Sequence, residues 1–154
     1  MLATLLVKRG WYLALAESCT GGLMAATCTS VAGSSGWFER GFVTYSNSAK
    51  SDLLGVPPSL IECHGAVSEP VVRAMAAGAL THSRAQVAIA VTGVAGPGGG
   101  SLDKPVGSVW FGFALASGVT SELQRFDGDR EAVRRATVQH ALGRLADMIS
   151  RLPV

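Results

Sequence analysis

The sequence predicts an α/β protein: a single domain over residues 1–154, three layers (α/β/α), around a mixed, mostly parallel sheet of about five strands. Three observations predict it. Short uncharged apolar runs, the mark of buried strands, alternate with stretches of helical spacing. The last two strand-like runs flank Ser117-Gly118 and pair as a hairpin, which adds an antiparallel end to the sheet. A length of 154 residues, with 48% hydrophobic and 16% charged, suits one compact core.

Residues 2–9 read as a short helix stopped by Gly10, and residues 11–16 as a buried strand. Thr20 is placed to N-cap a helix over 21–31, where Leu23, Ala26, Thr27 and Ser30 recur at helical spacing among small residues. A turn at 33–36 leads to a second strand over 38–45, closed by the polar cluster Tyr45-Ser46-Asn47-Ser48. Ser46 or Asn47 then caps a short helix that carries Lys50 and ends at Gly55 and Pro57. A helical turn at 58–63 precedes a longer helix opened by Ser68-Glu69-Pro70, with Ser68 as N-cap and an alanine-rich body through Ala85. Residues 86–92 form a buried strand that empties into the glycine-rich segment 93–101. The hairpin strands cover 107–116 and 119–126. Asp127-Gly128-Asp129 leads into a terminal amphipathic helix with Val133, Ala136, Ala141, Leu145 and Ile149 on or near one face.

Composition excludes several classes of function. A charged fraction of 16%, against about 25% in an ordinary soluble chain, predicts that another copy covers some of the surface, in a homo-oligomer. The net charge of +2 is evenly spread, so nucleic acid is not an expected partner. Cys19, Cys28 and Cys63 contain no C-x-x-C pair and leave one thiol over in any disulfide scheme. That fits a reducing cytoplasm and argues against structural zinc. No uncharged apolar run reaches the roughly 20 residues of a membrane span, and the opening residues, with Lys8 and Arg9, do not read as a secretory signal. The expectation is a cytoplasmic protein with no membrane partner, no cofactor and no metal.

The chemistry concentrates at the ends of strands. In open α/β sheets ligands bind outside the carboxyl ends of the strands, and Ser18, Tyr45 and Thr92 all stand there. Lys50 lies about one helical turn past Tyr45. Ser18 stands at a strand-to-helix junction, where unpaired N–H groups suit either a capping hydroxyl or a nucleophile with an oxyanion hole. Backbone N–H groups of Cys19, Thr20, Gly21 and Gly22 are the candidate oxyanion donors. A nucleophilic serine needs a base. His82 and His140 lie inside helices away from strand ends, and His64 directly follows Cys63, too close in sequence for the two to face each other as nucleophile and base. Lys50 is the better candidate, provided burial without a nearby acid lowers its pKa enough to make it neutral. Tyr45 would hold the lysine and relay a proton, with Thr92 completing the hydrogen-bond chain. The glycine segment, with Gly93 and Gly96, matches neither a Walker A loop nor G-x-G-x-x-G, so neither nucleoside triphosphate nor dinucleotide binding is supported.

At this point the chain resembles a known family. Residues 16–22 (Ala-Glu-Ser-Cys-Thr-Gly-Gly), 33–47 (Gly-Ser-Ser-Gly-Trp-Phe-Glu-Arg-Gly-Phe-Val-Thr-Tyr-Ser-Asn), 90–99, 104–109 (Lys-Pro-Val-Gly-Ser-Val) and 126–130 (Phe-Asp-Gly-Asp-Arg) are similar, in order, to the CinA carboxy-terminal domain family. The characterised enzymes of that family are nicotinamide-mononucleotide deamidases of the PncC type. The resemblance implies hydrolysis of the carboxamide of nicotinamide mononucleotide to nicotinic acid mononucleotide and ammonia, in pyridine-nucleotide salvage. It places the family's serine nucleophile on Ser18, its lysine base on Lys50, and its supporting tyrosine and threonine on Tyr45 and Thr92. Some members carry this domain behind a molybdopterin-binding-like one.

Several alternatives stay open in the sequence. Gly93 and Gly96 belong either to a tight turn or to a phosphate cradle, and Arg130 either clamps the phosphate or pairs with Asp127, Asp129 or a neighbouring subunit. Cys19 rivals Ser18 as nucleophile, because a thiol at a helix start ionises readily. Glu17 either anchors the turn or contacts the pyridinium. The alternative functions are a catalytically silent nucleotide-binding regulatory module and an amidohydrolase of another small amide.

Overall fold

The computed structural model describes residues 1–153. The elements run α1 (Leu2–Arg9), β1 (Leu13–Glu17), α2 (Leu23–Thr29), β2 (Phe38–Val43), α3 (Asn47–Leu54), α4 (Pro58–His64), α5 (Glu69–Thr81), β3 (Val87–Gly93), β4 (Ser108–Leu115), β5 (Gly118–Arg125) and α6 (Arg130–Ser150). One five-stranded sheet has the order β2-β1-β3-β4-β5. β2, β1 and β3 are mutually parallel, and β4 is antiparallel to both its neighbours. The mixed three-layer architecture follows the sequence pattern. Among the described residues no helix is long and apolar enough to cross a membrane.

Alternation along each strand sorts residues by size between the two faces. Leu13 and Leu15 of β1, Val87, Ile89 and Val91 of β3, and Val109, Phe111 and Phe113 of β4 all pack under α1, α2 and α6. The opposite face presents Ala14, Ala16, Ala88, Ala90 and Ala114 to α3, α4 and α5. Small residues there let α5 come close: a Cβ on Gly112 would lie 2.7 Å from the Val72 carbonyl oxygen.

Connectivity puts a switch point at the end of β1. The chain leaves β1 through α2 to reach β2 on one side, and returns through α3, α4 and α5 to β3 on the other. The crossovers lie on opposite faces, so their departure opens a crevice at the carboxyl end of β1. Ser18 is the next residue. Its amide donates to Val91 O (3.2 Å) and the Thr44 amide donates to Glu17 O (2.8 Å), so the three parallel strand ends stay tied beyond the strands proper.

Four local expectations need correction. The second helix begins at Leu23, not at residue 21, because Gly21 and Gly22 take left-handed φ values of +56° and +106° and form the turn instead. Thr20 does not cap that helix; its hydroxyl donates to Glu17. The fifth helix stops at Thr81 rather than Ala85, where the His82 amide and ring Nδ1 both meet Gly78 O and the chain turns toward β3. Ser68 precedes that helix, but its hydroxyl donates to Gly65 O (2.7 Å) rather than capping. Ser46 caps α3 as expected, accepting from the Ala49 amide at 3.0 Å.

Candidate active site

The crevice is a cleft of about 310 Å³ lined by Ser18, Cys19, Tyr45, Asn47, Lys50, Thr92 and the glycine segment, with Arg130 at its edge. A wider basin of about 940 Å³ adjoins it along Ala95 and Arg130. No serine, threonine, cysteine, tyrosine or lysine lines the basin, whereas Ser18, Cys19, Tyr45, Lys50 and Thr92 all line the smaller cleft.

Lys50 is the centre of the cleft. It is only 1% exposed, and its Nζ lies 3.1 Å from Ser18 Oγ, 3.0 Å from Thr44 O and 3.1 Å from Tyr45 O. Burial pulls its pKa below the ordinary lysine value of 10.5, opposed only by the nearby Cys19 thiol. None of its hydrogen-bond partners is a carboxylate. A neutral amine has two N–H bonds and one lone pair. In that state the Thr44 and Tyr45 carbonyls would take both N–H bonds and leave the lone pair for the Ser18 hydroxyl, whereas the ammonium form donates to all three oxygens. The cap at Ser46 fixes the start of α3, which sets Lys50 one turn inside the helix and over the end of β1.

The turn after Ser18 is organised by Glu17. This carboxylate is fully buried and accepts from Thr20 Oγ1 (2.6 Å), Gly22 N (3.2 Å) and Met24 N (2.9 Å) on Oε1, and from Ala25 N (3.0 Å) on Oε2. It caps α2 from the strand side, and so anchors the turn. Gly21 N–H donates to Ser18 O (3.1 Å). Of the four amides over Cys19 to Gly22, those of Cys19 and Thr20 alone bond to no other residue among those described. Thr20, Gly21 and Gly22 do not line the cleft.

Tyr45 and Thr92 stand in the cleft wall, with different contacts from those expected. Tyr45 holds Lys50 through its backbone carbonyl, while its ring is 62% exposed and its phenol lies 3.4 Å from Arg130 Nη2. Thr92 is buried and donates to Ala66 O (2.9 Å), not to Ser18 or Lys50. Arg130 also donates to Gly96 O (2.8 Å), which ties the glycine segment to the head of α6. It pairs with neither Asp127 nor Asp129; Asp129 instead caps α6 by accepting from the Ala132 amide. Gly93 and Gly96 both line the cleft.

The Cys19 thiol is buried, and burial pushes its pKa up to about 11. It stays protonated at neutral pH, where thiols are weak nucleophiles. Among the described residues no group of three or more His, Cys, Asp or Glu side chains is arranged to hold a metal ion.

The sequence reading passed over Asn47, Ala66 and Val67, which line the cleft, and Arg134, which reaches the Ser18 turn from α6. Ala66 and Val67 carry no polar side chain to flag them. Arg134 had one usable signal, its spacing of one helical turn from Arg130.

With this geometry in place, comparison with known proteins is decisive for the family. The family model of the CinA C-terminal domain matches residues 1–149. The chain belongs to that family. It is 60% identical over 130 residues to a nicotinamide-nucleotide amidohydrolase PncC of Enterobacter agglomerans, covering 84% of this chain and 79% of that protein. It is 55% identical over 138 residues to the protein of the same name from Escherichia coli K12, covering 89% and 84%. Among solved structures, the competence damage-inducible protein A (ComA) of Klebsiella pneumoniae superposes with a TM-score of 0.95 at 38% identity, covering 99% of this chain and 94% of that one.

Proposed function

We propose that this chain hydrolyses the carboxamide of nicotinamide mononucleotide to nicotinic acid mononucleotide and ammonia, with Ser18 as nucleophile and Lys50 as its base. The observation that carries the mechanism is a buried lysine with no carboxylate partner, whose Nζ lies 3.1 Å from Ser18 Oγ and within hydrogen-bond distance of the Thr44 and Tyr45 carbonyls. The substrate comes from the relatives named nicotinamide-nucleotide amidohydrolase.

Ser18 Oγ attacks the carboxamide carbon while its proton passes to Lys50 Nζ. The oxygen that becomes negative is met by the Cys19 and Thr20 amides, the donors of the turn that bond to no other described residue. Collapse of the tetrahedral intermediate breaks the C–N bond, and the proton on Lys50 leaves with ammonia. Water then attacks the acyl-Ser18 ester, again giving its proton to Lys50, and the acid product and free Ser18 are restored. Tyr45 and Thr92 serve this reading as supports: one positions the amine through its carbonyl, the other braces the wall at Ala66. The nucleotide phosphate meets Arg130 and the free amides of the glycine segment at the cleft mouth. The low charge and the cysteine pattern extend the proposal to a cytoplasmic, self-associating enzyme of pyridine-nucleotide salvage.

The test is ammonia release from nicotinamide mononucleotide by chelator-treated protein, against Ser18→Ala and Cys19→Ala. Release by wild type and Cys19→Ala but not by Ser18→Ala supports the proposal. A wild-type rate no higher than that of Ser18→Ala, at millimolar substrate, ends it.

A further inference from the structure

Arg134 does something that neither the motif pattern nor the proposed Ser–Lys chemistry accounts for. It projects from the first turns of α6, on a different element from every residue of the dyad. Its Nε donates to Cys19 O (3.2 Å) and its Nη2 donates to Thr20 O (2.9 Å), the two carbonyls that follow the nucleophile. Arg135 beside it is paired with Glu131, but Arg134 has no carboxylate partner among the described residues. A half-buried, permanently charged guanidinium is thus committed to two backbone oxygens.

The two peptides it grips show what that grip determines. In a trans peptide the C=O and N–H point in opposite directions. Gly96–Pro97 is the only cis peptide among the described residues, so both peptides are trans. In the Thr20–Gly21 peptide the carbonyl is held by Arg134 and the N–H points back onto Ser18 O. In the Cys19–Thr20 peptide the carbonyl is held by the same guanidinium. Its N–H, which bonds to no other residue among those described, therefore points away from Arg134. A cation donating to the carbonyl also polarises the peptide and strengthens its N–H as a donor.

We infer that Arg134 is a positioning residue for hydrolysis: it orients and polarises the Cys19–Thr20 peptide so that its N–H receives the oxyanion formed when Ser18 adds to the amide carbon. This rests on Ser18 being the nucleophile. Arg134 also lines the basin next to the cleft, and a direct contact with substrate phosphate is the competing role. The two roles separate kinetically: a donor that acts in the transition state affects kcat, whereas a contact to the phosphate in both states affects KM.

The experiment compares wild type, Arg134→Lys and Arg134→Met by melting temperature, by kcat and KM for nicotinamide mononucleotide, and by the rate at which a fluorophosphonate probe labels Ser18, read by intact mass. Loss of an oxyanion donor costs roughly 10²–10³-fold in rate, and partial misalignment less. The expected result is kcat about 10–100-fold lower in Arg134→Met, KM within about threefold, and labelling of Ser18 slowed in parallel. Arg134→Lys, which keeps a cation and a donor, recovers part of both rates and preserves the fold if the methionine variant loses it. KM raised more than tenfold with kcat kept would assign Arg134 to the phosphate and overturn the inference. Unchanged kcat and labelling in either folded variant would also overturn it. The probe makes the two readings separable: slowed labelling in the variants, with no turnover of nicotinamide mononucleotide by wild type, sinks the substrate proposal and leaves the inference standing.

Discussion

At the end of β1 the chain presents a row of backbone N–H groups, and a fully buried carboxylate, Glu17, answers four donors there. At the end of β2, the adjacent parallel strand, it presents backbone carbonyls, and a fully buried amine, Lys50, answers two of them. The two junctions have the same topology, a strand running into a helix at one edge of the sheet, and opposite polarity. The difference lies in how well each buried group is satisfied. Glu17 is surrounded by donors, a charged cap held by charge-assisted hydrogen bonds. Lys50 has acceptors for two N–H bonds and no anion, so burial disfavours its charge. One junction satisfies its buried charge and the other leaves a buried amine whose charge is disfavoured, and Ser18 lies where they meet.

Substitution at Lys50 tests the contrast most strongly. Lys50→Arg puts a permanent cation in place of the proposed base and is expected to lower kcat for ammonia release roughly 10²–10⁴-fold. In wild type, kcat/KM rises with pH along a limb whose midpoint lies below 10.5, and Lys50→Met lacks that limb. The stability consequence has a definite sign. The folded pKa is lower than the unfolded one, so between them the unfolded chain binds more protons and wild-type stability rises with pH. Below the folded pKa the full penalty of burying the charge is present. Melting temperatures measured across alkaline pH therefore climb for wild type relative to Lys50→Met, up to about the unfolded lysine value of 10.5.

Glu17 is expected to act on stability first. Glu17→Gln keeps one acceptor oxygen for four donors and removes the charge, at a cost of roughly 2–3 kcal/mol in denaturant unfolding. Activity falls only as far as the turn at Ser18 relaxes. A Glu17→Gln protein as stable as wild type would erase the proposed difference between the junctions.

Thr44, at the end of β2, gives the smallest effect. Its side-chain hydroxyl is buried without a hydrogen-bond partner, although its carbonyl holds Lys50. Thr44→Val removes an unpaired polar atom and keeps the shape, so stability stays level or rises by up to about 1 kcal/mol, and ammonia release is unchanged. A drop in rate would mean that the hydroxyl, and not only the carbonyl, serves the lysine junction.

Much of this was legible in the sequence. The strand positions, the Ser46 cap, the hairpin at Ser117-Gly118 and the gathering of Ser18, Tyr45, Lys50 and Thr92 at one sheet edge all follow from local patterns. Misreadings came where a residue's partner is distant or unusual. Thr20 has an N-cap side chain, but Gly22 takes the cap position of α2 and Glu17 reaches the first amides from the strand. The phenol of Tyr45 is what its residue type advertises, whereas its contribution to Lys50 is a carbonyl that every residue type carries. Arg134 lies more than a hundred residues from the carbonyls it holds, with |i−j| of 114 and 115.

Local pattern in the chain is enough to set the alternation of strands and helices, the sorting of large and small side chains between the two faces, and the residue types available for chemistry. These depend on short-range periodicity and on capping and turn propensities, which are properties of neighbouring residues. Packing is what leaves Lys50 buried without a carboxylate partner, commits the Glu17 carboxylate to α2 and brings Arg134 onto the turn after Ser18. Protonation, desolvation and the direction of a peptide dipole depend on everything packed around a group. That environment exists only once β1, β2, α3 and α6 have converged on one end of the sheet.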